Sequence, residues 1–226
     1  MKSRNKHILV TGGAGYIGSI LVPALLQENY EVTVLDNFMY GQTSLLDQCY
    51  NRDLTVINGD ARDETLLKTC LNKADAIIPL ACLTGAPICS KFPLEAESII
   101  LGGVKSVLKL RSSRQIIIYP TTNSGYGIGE KGKFCTEKTP LRPVSLYGKL
   151  KVTAEREILN HGNAVTLRLA TAFGLSPRMR LDLLVNDFVY RAVNDRFVVL
   201  FEANFKRNYI HVRDVSRAFI YVLENF

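Results

Sequence analysis

Short apolar runs and amphipathic stretches alternate along most of the chain. His7-Ile8-Leu9-Val10 is an apolar run that ends in a glycine-rich turn, the pattern of a buried strand. Ile17, Ile20, Leu21, Ala24 and Leu25 then recur at helical spacing. Glu31–Leu35 forms a second strand ending at Asp36, followed by a polar loop through Gly41. Leu54–Ile57, Asp75–Leu80, Gln115–Tyr119 and Ala164–Leu169 read as further strands. Pro79 must stand at a strand end, because it has no ladder donor. Helices are predicted over Thr65–Leu71, over Lys91–Leu110 with Gly102-Gly103 as a weak point, from Ser145 or Leu146 to about Leu159, and over Asp182–Val193. Phe197–Leu200 and Tyr209–Val212 read as short strands, and Asp214 as the cap of a last helix through Val215, Ala218, Phe219 and Val222. Strands alternating with helices imply a parallel sheet covered on both faces, with ligands at the carboxyl ends of the strands.

The glycines lie where that rule puts a ligand. Gly12-Gly13-Ala14-Gly15-Tyr16-Ile17-Gly18 joins the first strand to the first helix. Gly12 makes the tight turn, Gly15 lets a pyrophosphate approach the backbone, and Gly18 allows close helix packing. The helix start offers free N–H groups and partial positive charge. An acidic residue is required about 20 residues on, at the end of the second strand, and Asp36 meets that test. The fold class is therefore α/β, a Rossmann-type doubly wound parallel sheet that binds a dinucleotide.

Bulk properties add little. The 226 residues suffice for one full α/β domain. With 28 basic and 21 acidic residues the net charge is +7, which favours solubility and anionic ligands such as nucleotides. No Lys/Arg block exceeds a few residues, so nucleic acid is not expected as a partner. The five cysteines, Cys49, Cys70, Cys82, Cys89 and Cys135, are odd in number and form no Cys-x-x-Cys pair, so neither a disulfide framework nor a metal site is expected. No signal peptide or membrane span is read, and a cytoplasmic enzyme is the simplest location.

The sharpest chemistry is Tyr147-Gly148-Lys149-Leu150-Lys151, which puts Tyr147 and Lys151 on one helix face. A tyrosine near pKa 10 needs roughly 4 kcal/mol of preference for phenolate to act as a base at neutral pH. A lysine cation at 4 Å supplies about that much before desolvation at an effective dielectric of 20. Such a phenolate takes a proton from a sugar or alcohol hydroxyl as a hydride leaves. Alone, the pair reads as an ordinary surface Tyr and Lys; downstream of a dinucleotide motif it reads as catalytic.

With these pieces the chain resembles the extended short-chain dehydrogenase/reductase family, in its nucleotide-sugar epimerase/dehydratase branch. The matching segments run in the family's order: Gly12-x-x-Gly15-x-x-Gly18, Val34–Asn37, Gly59–Asp63, Leu80-Ala81, Thr121–Gly127, Tyr147-x-x-x-Lys151, Leu167–Leu169, Pro177–Met179 and Arg207–Val215. The resemblance implies NAD as cofactor, with Asp36 on the adenosine ribose and repelling the 2′-phosphate of NADP. Tyr16, Ile17 and Asn37 join that set; Asp60 and Ala61 meet the adenine, and Leu80 and Ala81 border the phosphate-ribose segment. Thr122 holds the reacting hydroxyl, Tyr147 is the base, and Lys151 lowers its pKa and binds the nicotinamide ribose. Thr122, Asn123, Thr171, Arg178, Arg180, Asn186 and Arg207 form the substrate set, with Arg207 at the diphosphate. The resemblance divides the chain into a dinucleotide domain, 1–172, and a partial substrate region, 173–226, with Phe173–Phe205 as its surviving part; family members usually continue past the position of Phe226, so the expectation is either a fragment or an unusually short carboxyl end.

Several positions depart from the family pattern. Pro79 stands for a frequent His, Cys82 for the second Ala, and Thr171 for an Asn at the substrate phosphates, and the helix near Ile99-Ile100 lacks the usual Asn. Sugar 4,6-dehydratases of this branch carry Asp-Glu after the catalytic Thr. Here Asn123 and Ser124 occupy those places, and neither is an acid or base near neutral pH. The expected activity is a nucleotide-sugar epimerase, acting at C4 through a transient keto-sugar. A net oxidoreductase or dehydratase and a non-catalytic NAD sensor are the alternatives, and a homodimer is plausible from the family. Cys135 is not expected to act as an acid. His161 is assigned to a helix end, and His211 and Asp214 to structural roles.

Overall fold

Six short apolar strands build one parallel sheet in this computed structural model, which describes residues 6–129, 132, 134–201 and 203–226. The basic N-terminal residues 1–5, part of the lysine-rich loop after Gly129, and position 202 of the 173–205 stretch lie outside the described residues. In chain order the elements are β1 (His7–Thr11), α1 (Gly18–Gln27), β2 (Glu31–Asp36), β3 (Leu54–Asn58), α2 (Glu64–Leu71), β4 (Ala76–Pro79), α3 (Ala86–Lys91), α4 (Pro93–Glu97) and α5 (Gly103–Leu110). They continue with β5 (Ile116–Thr122), α6 (Leu146–Asn160), β6 (Ala164–Leu169), β7 (Thr171–Phe173), α7 (Leu184–Asn194), β8 (Tyr209–His211) and α8 (Val212–Asn225).

The sheet order is β3-β2-β1-β4-β5-β6, so the winding reverses between β1 and β4. The register sets Thr11 opposite both Leu35 and Pro79. A crevice opens at such a reversal, at the carboxyl edge. Side-chain alternation splits the core in two. Ile8, Val10, Val34, Ile78 and Ile118 face α1 and α8, where Leu21, Leu25, Val215 and Phe219 are buried. Leu9, Leu35, Ile77, Ile117 and Tyr119 face the other layer, which includes Leu67, Val107, Leu150 and Ile158. Both faces are covered, as the near-continuous apolar strands require. At the β3 edge Thr55 and Val56 are exposed.

Five sequence expectations change. The helix expected over Lys91–Leu110 begins at Ala86, breaks before Pro93 and passes through a π turn at Ser98–Gly102. Gly102 and Gly103 themselves keep helical backbone, so the weak point widens the helix rather than ending it. β5 runs past Tyr119 through Pro120 to Thr122. Ile116 N donates to Asp75 O and Ile117 N to Asn163 O, so alternation aims the Pro120 nitrogen toward β4. The β4–β5 pairing stops at Ile77–Ile117, and no ladder bond is lost there. Phe197–Leu200 is not a strand; it is coil in which Phe197, Val199 and Leu200 are exposed, and no described strand pairs with it. Val212 belongs to α8, which is capped by His211 and not by Asp214; His211 Nδ1 accepts from Arg213 N at 3.3 Å, and Asp214 lies in the first turn. Finally, β7 and β8 form a two-stranded parallel sheet in which Ala172 faces Ile210. The expected boundary at residue 172 therefore falls inside β7, and α8 returns to the core beside α1.

Candidate active site

The corner after β1 is built by backbone contact. Gly12 has φ +71°, and a Cβ there would come within 2.5 Å of Ala81 N. A Cβ on Gly18 would meet the Gly13 backbone, so this glycine closes the turn on itself more than it packs α1 on the sheet. At Gly15 a Cβ would meet Gly12 O at 3.1 Å and otherwise stand in open space. Among the described residues the N–H groups of Tyr16 and Ile17 have no acceptor, and no side chain caps α1. Open space over a glycine and unpaired N–H groups at a helix start form a cradle suited to a pyrophosphate.

Asp36 is buried at the end of β2. Its carboxylate accepts from Ala14 N (2.9 Å), Phe38 N (2.8 Å) and Gln42 Nε2 (3.3 Å). A carboxylate has about four acceptor positions, so one remains for a hydroxyl. Asn37 is exposed, and its Oδ1 accepts from Met39 N. Asp60 is gripped by Arg62 through Nε at 2.9 Å and Nη2 at 2.5 Å, which holds the carboxyl below its ordinary range. Ala61 packs at the core edge, and Leu80 N donates to Thr11 O at 2.8 Å.

Ser145 caps α6 by accepting from Gly148 N at 3.1 Å, which starts the helix one residue before Tyr147. Lys151 is 4% exposed, and its Nζ stands 3.9 Å from the centre of the Tyr119 ring. Burial pushes this ammonium down to about 8. Tyr147 differs from expectation: burial pushes its phenol well above the ordinary value, and Arg180 is the cation that draws it back. Cys82, one residue past Ala81, is half-buried and packs, like Tyr147, against the core layer that holds Cys89 and Leu150. The glycine corner thus meets Ala81, and the next residue, Cys82, packs against the same layer as Tyr147.

Thr122 is buried, and its Oγ1 accepts from Ser124 N at 3.1 Å, leaving its hydrogen to donate elsewhere. Thr121 points to the opposite face, that of Tyr119, where its buried Oγ1 has no partner among the described residues. Asn123 Nδ2 donates to Asn208 Oδ1 at 2.5 Å, and Asn208 O accepts from Thr171 N. Arg207, beside it, is exposed.

The expected substrate contacts divide. Asn186 is corrected: it is buried, with Oδ1 accepting from Gly174 N (2.9 Å) and Nδ2 donating to Arg180 O (2.9 Å) and Tyr16 Oη (3.3 Å). Its amide is spent on tying α7 to the glycine corner. Tyr16 completes that tie by donating to Gly174 O at 2.7 Å. Arg178 stacks on Tyr40 at 4.3 Å, and Arg180 pairs with Asp182 through two hydrogen bonds. The sequence reading missed Tyr40, Cys82 as a site neighbour, and Glu155. Only the last had a signal, its position one turn beyond Lys151. His161 closes α6, as expected, and the His211 ring packs edge-on against Phe173.

The depressed Lys151 predicts a measurable cost to the fold. The unfolded chain holds the proton up to about 10.4 while the folded chain releases it near 8. The unfolded state binds more protons in that window, so stability rises with pH across it. Lys151→Met is expected to stabilise the protein at pH 7 by about 1–3 kcal/mol, with the gain vanishing toward pH 10. Urea unfolding of both proteins across that range checks it.

The relatives of this chain are nucleotide-sugar epimerases. A UDP-arabinose 4-epimerase homologue of Arabidopsis thaliana, described as putative, is 33% identical over 189 residues, covering 77% of this chain and 45% of that protein. The UDP-glucose 4-epimerase of Halalkalibacterium halodurans is 31% identical over 93% of this chain and 69% of its own length. The chain thus spans less than half the length of the plant relatives it matches. Among solved structures, UDP-glucose 4-epimerase from Thermotoga maritima with UDP-glucose superposes with TM-score 0.83 at 25% identity, over 96% of this chain and 73% of that one. UDP-glucuronic acid 4-epimerase from Bacillus cereus, in complex with UDP-glucuronic acid and NAD, gives 0.85 at 25% identity, with the same coverage. The model of the NAD dependent epimerase/dehydratase family matches residues 8–226, and the chain belongs to that family.

Proposed function

We propose that the chain is the dinucleotide-binding and catalytic part of an NAD-dependent nucleotide-sugar epimerase acting at C4. The observation that carries this reading is the buried Lys151 ammonium one helical turn from Tyr147, in a layer that also takes Cys82, the residue after the Ala81 that meets the glycine corner. NAD supplies the acceptor and donor of a hydride and, when oxidised, a positive charge. Gly12, Gly15, Gly18 and the free N–H groups of Tyr16 and Ile17 receive its pyrophosphate. Asp36, Asn37, Asp60 and Ala61 receive the adenosine side, and Leu80 and Ala81 border the cofactor.

Tyr147 takes the proton of the sugar hydroxyl and returns it, Thr122 orients that hydroxyl, and Lys151 favours the phenolate and holds ribose hydroxyls. Thr171, Arg178, Arg180 and Arg207 are the substrate-side groups retained in the proposal, within a region spanning 173–226. Asn123 and Ser124 still speak against a 4,6-dehydratase, since Asn123 is engaged as a hydrogen-bond strut. A homodimer and a cytoplasmic location belong to the same proposal; no described helix is long and apolar enough to cross a membrane.

Asp36→Ala tests the cofactor half. It is expected to weaken NAD about 10–100-fold, the worth of a charge-assisted hydrogen bond, and to weaken NADP much less. Titration with both dinucleotides checks this; unchanged discrimination removes Asp36 from the ribose.

A further inference from the structure

Tyr147, Lys151 and Glu155 follow one another at four-residue intervals and share one face of α6. Glu155 is 2% exposed, deeper than Lys151. Arg168 on β6 holds it, with Nε at 2.8 Å and Nη2 at 2.6 Å, and both bonds end on Oε1. An Arg–carboxylate pair often spreads its two bonds over both oxygens. Here Arg168 Nη1 is directed to the Tyr126 hydroxyl and Glu137 O, both at 3.1 Å. Glu155 Oε2 is shut off from solvent and has no hydrogen-bond partner among the described residues. A buried carboxylate oxygen left this way is costly unless a cation compensates it.

The groups facing Lys151 come from four elements besides its own. Tyr119 comes from β5, Cys82 from the loop after β4, Cys89 from α3, and Arg168 stands behind Glu155 on β6. Tyr147 and Glu155 share its helix. Burial raises the two tyrosines and the two cysteines and keeps them neutral. Glu155, ion-paired with Arg168, is the carboxylate in the set.

We propose that Glu155, anchored by Arg168, is a positioning residue that supplies the buried counter-charge keeping the Lys151 ammonium charged and in place one turn from Tyr147. The proposal rests on the reading of Tyr147 and Lys151 as the reacting pair, but its test needs no turnover. The Lys151 side chain is titrated by 15N NMR in lysine-labelled protein, with its signal assigned by its loss in Lys151→Met. In Glu155→Gln the titration is expected to move about 1–2 pH units lower than in the natural protein. In Arg168→Gln, which leaves Glu155 uncompensated, it is expected to move higher. A brace without electrostatic function gives the opposite sign: loosening by Glu155→Gln admits water and carries Lys151 up toward about 10.4. An upward or absent shift overturns the proposal. Should Glu155→Gln fail to fold alone, the change is made in the Arg168→Gln background and compared with that parent, with the same downward shift expected and the same outcomes against it. Failure to epimerise any nucleotide sugar would count against the proposed activity and leave this titration intact.

Discussion

Tyr147→Phe is expected to lower turnover of a nucleotide sugar by about 10³-fold or more while cofactor retention stays within a few-fold of the natural protein. Proton transfer by a placed side chain contributes about 10²–10⁴-fold. The change removes one oxygen and no ring volume, so packing within the cluster around α6 is preserved. Burial holds the phenol high, so Tyr147 needs nearby positive charge before it can accept a proton. Arg180 and Lys151 are the protein's own sources, and the oxidised cofactor is the third. The variant is checked by single-turnover assay beside quantification of dinucleotide released on denaturation. Equal turnover would remove Tyr147 from the chemistry; loss of the dinucleotide would mean that the side chain holds the cofactor.

Gly18→Ala is expected to produce the largest combined loss, about 3 kcal/mol or more of stability and at least about 100-fold of dinucleotide affinity. Its Cβ would overlap the Gly13 carbonyl and Cα, which are backbone atoms with no rotamer to yield. Relief requires moving the start of α1, which carries Leu21 and Leu25 into the core. Gly15→Ala is the informative partner. A Cβ there meets only Gly12 O at 3.1 Å, so stability should fall little, while a pyrophosphate over the cradle meets the new methyl. Denaturant unfolding and dinucleotide titration of both variants separate the glycine that shapes the corner from the one that leaves room above it. Matched losses in the two variants would contradict that division.

Much of the fold was legible because its determinants are local. The parallel strands are short apolar runs, and the glycine corner and Asp36 sit at the spacing that a strand-turn-helix unit dictates. Where neighbours decide, the pattern failed. Pro120 ended the predicted strand, yet its nitrogen faces the place where β4 has already stopped pairing. Phe197–Leu200 has strand composition, and no described strand pairs with it. β7 was hidden because three residues form a strand only when Tyr209–His211 comes alongside.

The site divides in the same way. Tyr147 and Lys151 are visible by their spacing, while Arg180 and Tyr119, which shape their electrostatic environment, are distant in sequence. Asn186 had the chemistry of a substrate contact, but its amide is consumed by Tyr16, Gly174 and Arg180. Hydrogen bonds between segments some 170 positions apart cannot be read from composition.

The proposed reaction is C4 epimerisation with the cofactor regenerated at every turnover. The most direct measurement incubates the purified protein with UDP-glucose, UDP-galactose, UDP-arabinose and UDP-glucuronic acid in turn, without added NAD. Products are followed by proton NMR, and reduced cofactor by absorbance. At least one substrate is expected to reach a mixture of its C4 epimers over many turnovers, with no accumulation of NADH. Stoichiometric NADH, or no conversion by protein that demonstrably holds NAD, would contradict it.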